Sequence, residues 1–157
     1  MTKTASDMST TMLEPEAPLL GEQLCFALYS THLAMGKVYR QLLQDLGVTY
    51  PQYLVLLVLW ESGALTVSEI SARLFLDSPT LTPLLKRMEV QGQVLRTRDR
   101  VDERKVLVAL TPQGRALRKR ARAVYNGVAE ASGCSAQELQ PLRDQLLMLR
   151  ERLFRAA

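Results

Sequence analysis

A chain of 157 residues, 47% of them apolar, can build one compact domain with a real core, and its ordinary composition excludes a fibrous or disordered protein. Twenty Lys and Arg against sixteen Asp and Glu give a net charge of +4, which favours an anionic partner such as nucleic acid. No apolar run reaches the roughly 20 residues that span a bilayer and the first residues lack the apolar stretch of a secretory leader. The expected location is therefore the cytoplasm, with no membrane partner, where two cysteines are free thiols whose pairing, if it occurs, is regulatory.

Residues 1–18 carry no sustained period and contain Pro15 and Pro18, so they are expected to form a mobile tail ahead of a single domain over 19–157. From Gly21 to Leu46 apolar residues recur at helical spacing, with Gly47 placed to cap the end. Pro51 opens a second helix whose stretch Tyr53 to Trp60 is apolar nearly all round, predicting burial, before Ser62-Gly63 stops it. Thr66-Val-Ser-Glu69 is a capping box that starts a third helix, running to about Leu74. A fourth helix is expected from near Ser78-Pro79 to Gln91, with Gly92 ending it and Pro83 leaving its first turn open to more than one placement.

Val94–Asp99 and Lys105–Leu110 read as two strands of an antiparallel hairpin with the charged tip Arg100-Val-Asp-Glu-Arg104. Thr111-Pro112 predicts a fifth helix through about Ala131, broken at Gly133-Cys134. Ser135-Ala-Gln-Glu138 is a second capping box, and the sixth helix carries Leu139, Leu142, Leu146, Leu149 and Leu153 three or four residues apart, a stripe that calls for a helical partner. The fold class is mainly α with a small β wing.

Helix, short turn, helix and charged-tip hairpin is the order of a winged helix-turn-helix, which places one helix to enter a major groove. On the helix after the turn, Leu81, Leu84, Leu85 and Met88 define an inward face. Ser78, Thr82 and Lys86 form the outward strip, with Thr80 and Arg87 at its edges: short hydroxyls for base edges and cations for phosphates. The wing adds Arg96, Arg98, Arg100 and Arg104, and an arginine at a hairpin tip can enter a minor groove. The run Arg115, Arg118, Lys119, Arg120 and Arg122 reads as a solvated face outside the DNA contacts.

Asp102-Glu-Arg104 followed by Leu110-Thr111-Pro-Gln-Gly114 resembles the wing pattern of the MarR family of winged-helix regulators, and the match covers most of residues 20–155. The resemblance implies a winged helix-turn-helix at about 50–111, with Asp102 shaping the wing. It also implies a homodimer held by helices at about 19–46 and 112–155. A two-fold dimer would bind double-stranded DNA at a pseudo-palindromic operator with half-sites about one helical turn apart.

Cys25, Leu28, His32, Met35, Tyr39, Leu42 and Leu46 share one stripe of the first helix. Cys25 lies in its first turns, where amide dipoles favour a thiolate and hence a nucleophile. Burial opposes that charge, so reactivity needs further hydrogen-bond donors. Tyr39 is a candidate, but about 21 Å of helix separates it from Cys25 in its own chain; if the helix packs antiparallel against a second copy, Tyr39 of one copy, and Tyr50 beyond the helix end, could approach the sulfur of the other. Spacing alone leaves open that Cys25 is a small buried hydrophobe and Cys134 an incidental loop thiol.

Leu24-Cys-Phe-Ala-Leu-Tyr-Ser30, Tyr50-Pro-Gln-Tyr53 and Leu76-Asp-Ser-Pro-Thr-Leu-Thr-Pro-Leu-Leu-Lys86 are similar to the organic-hydroperoxide-sensing (OhrR) branch of the MarR family. That resemblance implies that Cys25 senses peroxide, that Tyr39 and Tyr50 hydrogen-bond it across the dimer, and that Cys134 makes this a two-cysteine member forming an intersubunit disulfide. The implied effector is an organic hydroperoxide and the implied action is repression. No cofactor is expected, no His, Cys and Asp cluster has metal-ligand spacing, and His32 reads as an interface polar residue. Two other readings stay open: a repressor released by a small aromatic ligand between its domains, and a thiol peroxidase, against which the basic helix and wing argue.

Overall fold

The computed structural model describes residues 18–99, 101–102 and 104–157. The expected tail therefore lies outside the described residues except for Pro18, as does the wing residue Arg100. The described chain forms two compact units, one ending at Met35 and the other Gly36–Ala157. After a 3-10 turn at Leu20–Glu22 the elements are α1 (Leu24–Leu42), α2 (Tyr50–Ser62), β1 (Leu65–Thr66), α3 (Val67–Leu74), α4 (Ser78–Val90), β2 (Val94–Arg98), β3 (Val106–Leu110), α5 (Pro112–Ala116), α6 (Arg118–Ser132) and α7 (Ala136–Ala156).

Local chemistry explains most of these boundaries. Thr66 accepts from the Glu69 amide at 3.3 Å while Glu69 Oε2 accepts from the Thr66 amide at 2.7 Å, and Ser135 with Glu138 repeats the arrangement at the start of α7. Thr111 caps α5 through the Gly114 amide at 3.0 Å. Gly133, at φ 65° in the left-handed region open to glycine, ends α6.

The first helix is shorter than its periodicity implies. It begins at Leu24 rather than Gly21 and ends at Leu42 rather than Leu46. Beyond it the chain tightens into turns in which the Leu46 amide donates to Leu43 O and the Gly47 amide to Gln44 O. Leu46 leaves the stripe because it, Leu43 and Val48 are drawn into the core.

The expected fifth helix is two, α5 and α6, meeting at Leu117. A strand that periodicity did not indicate, β1, pairs antiparallel with β3, giving a three-stranded sheet of order β1-β3-β2 with Arg96 opposite Val108 and Leu65 opposite the same residue.

In the second unit the core gathers where α2, α3 and α4 meet the sheet: Val55, Leu56, Leu59, Ile70, Leu81, Leu85, Met88, Val94 and Val108 are buried. Each large side chain in it contributes about 1.5–3 kcal/mol by leaving water. The inner face of α4 is the one its spacing predicts, Leu81, Leu84, Leu85 and Met88, and this packing fixes which way its outer strip points.

Candidate functional site

The turn before α4 is Phe75-Leu76-Asp77. Asp77 caps α4 by accepting from the Thr80 amide at 2.9 Å, and hydrogen bonding from the Thr80 side chain and backbone holds the Asp77 carboxyl below the usual carboxylate range. With the inner face buried, Ser78, Thr80, Lys86 and Arg87 are exposed and Thr82 is half-buried. Pro83 lies inside the helix and is exposed. Because it has no N–H, the Pro79 carbonyl loses its helical donor and is left as an acceptor.

The wing is β2 and β3 with the tip between them. Asp99 Oδ1 accepts from the Val101 amide at 2.8 Å and the Asp102 amide at 3.0 Å, and these backbone donors, Asp102 first, hold the Asp99 carboxyl below its usual range. Asp102 in turn accepts from the Arg104 amide and Nε, both at 3.2 Å, and faces Lys105 Nζ at 3.8 Å. The two acids fold the tip so that Arg104 stands in solvent, with Arg98 exposed at the end of β2.

Arg96 is different from the wing cation expected of it. Its Nη1 lies 3.7 Å from Glu89 of α4 and its amide donates to the same carboxylate at 3.0 Å. It ties the wing to α4 and is not presented to solvent as a DNA contact. Asp99 was not singled out by sequence reasoning, although its place three residues before Asp102 is the spacing of an acid that caps a tight turn.

Both cysteines are free thiols. Cys25, the second residue of α1, sits in the first turn, where backbone amides have no helical acceptor, and in the single chain it is exposed. Its apolar neighbours on α1, Leu24, Phe26 and Leu28, are exposed as well. Cys134 is half-buried between α6 and α7, and its thiol donates to Ser132 O at 3.5 Å.

The structure brings Tyr39 and Tyr50 together, with ring centroids 4.3 Å apart, and adds Tyr53 at 6.1 Å from Tyr39. The apolar pattern of α2 places Tyr53 only in the core; its position one helical turn after Tyr50 is the signal that ties it to this cluster. Burial, reinforced by Tyr50 and then Tyr53, pushes Tyr39 up to about 12. Burial also raises Tyr50 and Tyr53. Tyr39 is thus a protonated hydrogen-bond donor at any physiological pH.

A folded-state value above the ordinary phenol value of about 10 means the fold favours the protonated ring. That stabilisation is complete below pH 10 and is lost as pH rises through about 12. The urea midpoint should fall more steeply over this window in the native protein than in Tyr39→Phe, measured by circular dichroism.

A cavity of about 570 Å³ opens between the end of α1, the following turns, the start of α2 and the C-terminal half of α4. Arg40, Thr49, Tyr50, Gln52 and Arg87 line it.

The family description "Transcriptional regulator SarA/Rot" matches residues 37–120. The HTH-type transcriptional regulator TtmR of Methylorubrum extorquens is 50% identical over 138 residues, 88% of this chain and 71% of that protein. The organic hydroperoxide resistance transcriptional regulator of Bacillus subtilis is 46% identical over 134 residues, 85% of this chain and 91% of that protein. Among solved structures, reduced AbfR bound to DNA aligns with TM-score 0.70 and 36% identity, over 86% of this chain and 94% of that one.

AbfR, from Staphylococcus epidermidis, is also similar in a disulfide form, with TM-score 0.60 and 38% identity over 83% and 91% of the two chains. The curated relatives are named as transcriptional regulators and not as enzymes. Together with the buried inner face of α4, its polar outer strip and the acid-braced wing, this identifies the chain as a DNA-binding winged-helix transcriptional regulator of the SarA/Rot and MarR type.

Proposed function

We propose that this regulator is a homodimeric repressor that releases a pseudo-palindromic operator when an organic hydroperoxide oxidises Cys25. The observation that carries the reading is Cys25 itself, a free and exposed thiol in the first turn of α1. Identity to a protein named as an organic hydroperoxide regulator supports the choice of oxidant.

The Cys25 thiolate attacks one peroxide oxygen. The O–O bond breaks, the alkoxide leaves and takes a proton from solvent to become the alcohol, and the sulfur, oxidised by two electrons, becomes a sulfenic acid. The thiol of Cys134 in the partner subunit then attacks that sulfur, forming the S–S bond and releasing water. Tyr39 and Tyr50 of the partner subunit supply the donors that hold the thiolate. A second copy also accounts for the apolar surface left exposed by the single chain, Leu24, Phe26 and Leu28 on α1 and Leu142, Leu146 and Met148 on α7.

On DNA, α4 enters the major groove with Ser78, Thr80 and Thr82 toward base edges and Lys86 and Arg87 toward phosphates, while Arg98, Arg100 and Arg104 serve the flanking minor groove. Lys86→Ala should weaken binding to all sequences alike and reduce the slope of log affinity against log salt by about one. Titration of a labelled duplex from the promoter of its own gene at several salt concentrations measures this. The same titration with reductant, then with cumene hydroperoxide, tests the redox reading. Release by the oxidant supports it, and unchanged binding contradicts it.

The cavity flanked by Arg40 and Arg87 favours a second reading, release by a small anionic aromatic ligand. Under that reading the Cys25→Ser protein still responds to its effector.

A further inference from the structure

The turn that launches α4 carries a local strain. Phe75 ends α3 at φ 54°, the left-handed region that a bulky residue adopts only when its surroundings hold it there. Among the described residues it is the only non-glycine with positive φ. A glycine would serve the backbone better, so the ring must do something for which the strain is tolerated.

The ring meets the last turns of α7, where Phe75 and Phe154 both stay more than half exposed. Phe154 stacks on it with centroids 5.3 Å apart and an interplanar angle of 17°. The Arg150 guanidinium lies over the same ring at 4.6 Å from its centroid. Arg150 Nη2 donates to Glu151 Oε1 at 3.2 Å, so an ion pair on α7 itself helps to hold the guanidinium in this position. Immediately after Phe75, the Leu76 carbonyl accepts from Ser71 Oγ and Asp77 begins the α4 cap. The clamp therefore grips the chain two residues before the Asp77 cap of the helix that reads DNA.

From these contacts we infer that Phe154 and Arg150 are positioning residues for α4, acting through Phe75 and not by touching DNA. The helix that carries them spans 21 residues, Ala136–Ala156, with Pro141 inside it, about 30 Å in length. Cys134 stands just ahead of its Ser135 cap. In the relay that extends this inference, a displacement of α7 at the Cys134 end reaches the seat of Phe75 along the helix, past Pro141. This second step rests on the proposed redox function, whereas the positioning role is read in the reduced protein and stands apart from it.

The test measures operator affinity of the full-length reduced protein by fluorescence anisotropy. Phe154→Ala and Arg150→Met should each weaken binding about fivefold to tenfold, the scale of an aromatic pair or a cation–π contact, with dimerisation and helix content unchanged. Phe154→Tyr, which keeps the ring, should bind like the native protein.

Phe75→Gly relieves the backbone strain and removes the clamp's target, so it should melt no lower than the native protein and yet bind DNA as weakly as Phe154→Ala. Adding Phe154→Ala to it should cost nothing further. If Phe154→Ala binds DNA as the native protein does, or if its effect simply adds to that of Phe75→Gly, the positioning role is wrong. For the relay, oxidation and Phe154→Ala should be non-additive in affinity, and full additivity overturns that step alone. If the native protein keeps its operator under oxidant, it is the redox function that fails, and the reduced-state results still judge the clamp.

Discussion

Cys25→Ser is expected to bind the operator as tightly as the native protein under reductant and to lose none of that affinity when cumene hydroperoxide is added. The native protein should lose between about 5-fold and 150-fold, the usual range for coupling between two sites. The reason is chemical. A serine hydroxyl at the start of α1 keeps the size and hydrogen-bonding capacity of the thiol but is not a nucleophile toward a peroxide at neutral pH, so the first step never occurs.

Cys134→Ser separates the two steps. It retains the attacking sulfur and should still oxidise, but without a resolving thiol it proceeds to the sulfinic acid under excess peroxide, and thiol reductant no longer restores it. Anisotropy before and after reductant distinguishes the three proteins.

Gly114→Ala should destabilise the fold by about 3 kcal/mol, the upper end of overpacking costs. A Cβ there collides with the Gln93 carbonyl oxygen and lies 3.1 Å from Leu110 Cδ2. Neither side can withdraw easily. The Gln93 carbonyl accepts from the Thr111 amide and from Thr111 Oγ1, each at 3.2 Å, and the Gly114 carbonyl accepts from Trp60 Nε1 at 3.0 Å. Because this joint fixes the end of α4 and the base of the wing against α5, DNA binding should fall with stability. Urea denaturation at fixed protein concentration, which holds any dimerisation constant, measures the loss.

The winged-helix unit was largely legible because its signals are local. Leu81, Leu84, Leu85 and Met88 repeat at helical spacing, and Thr66 with Glu69 announces a helix start that the hydrogen bonds then show. What was not legible depends on tertiary contacts. β1 is two residues long, too short for any period, and exists because β3 lies beside it. The break at Leu117 falls among good helix formers, three residues past Gly114; there the Arg115 guanidinium donates to the Leu110 carbonyl at 2.6 Å and Leu117 packs on the core.

Arg96 was misplaced for a different reason, since the signal was present. It shares the face of Val94 in the two-residue alternation of β2, and Val94 is buried, so Arg96 had to turn toward α4. The thiol site is the least legible part. Cys25 looks like a residue of a packing face in the periodicity, yet in one chain that face is exposed. The Tyr39, Tyr50 and Tyr53 cluster, by contrast, forms within the second unit and is visible in a single copy.

The most direct test is peptide mapping by mass spectrometry on native protein treated with one equivalent of cumene hydroperoxide, with operator binding measured on the same sample. The expected result is a covalent dimer, a linked peptide joining Cys25 of one subunit to Cys134 of the other, and loss of the DNA complex in proportion to the linked fraction. Full conversion of Cys25 with the operator still bound, or release of the operator while Cys25 remains a thiol, would contradict it.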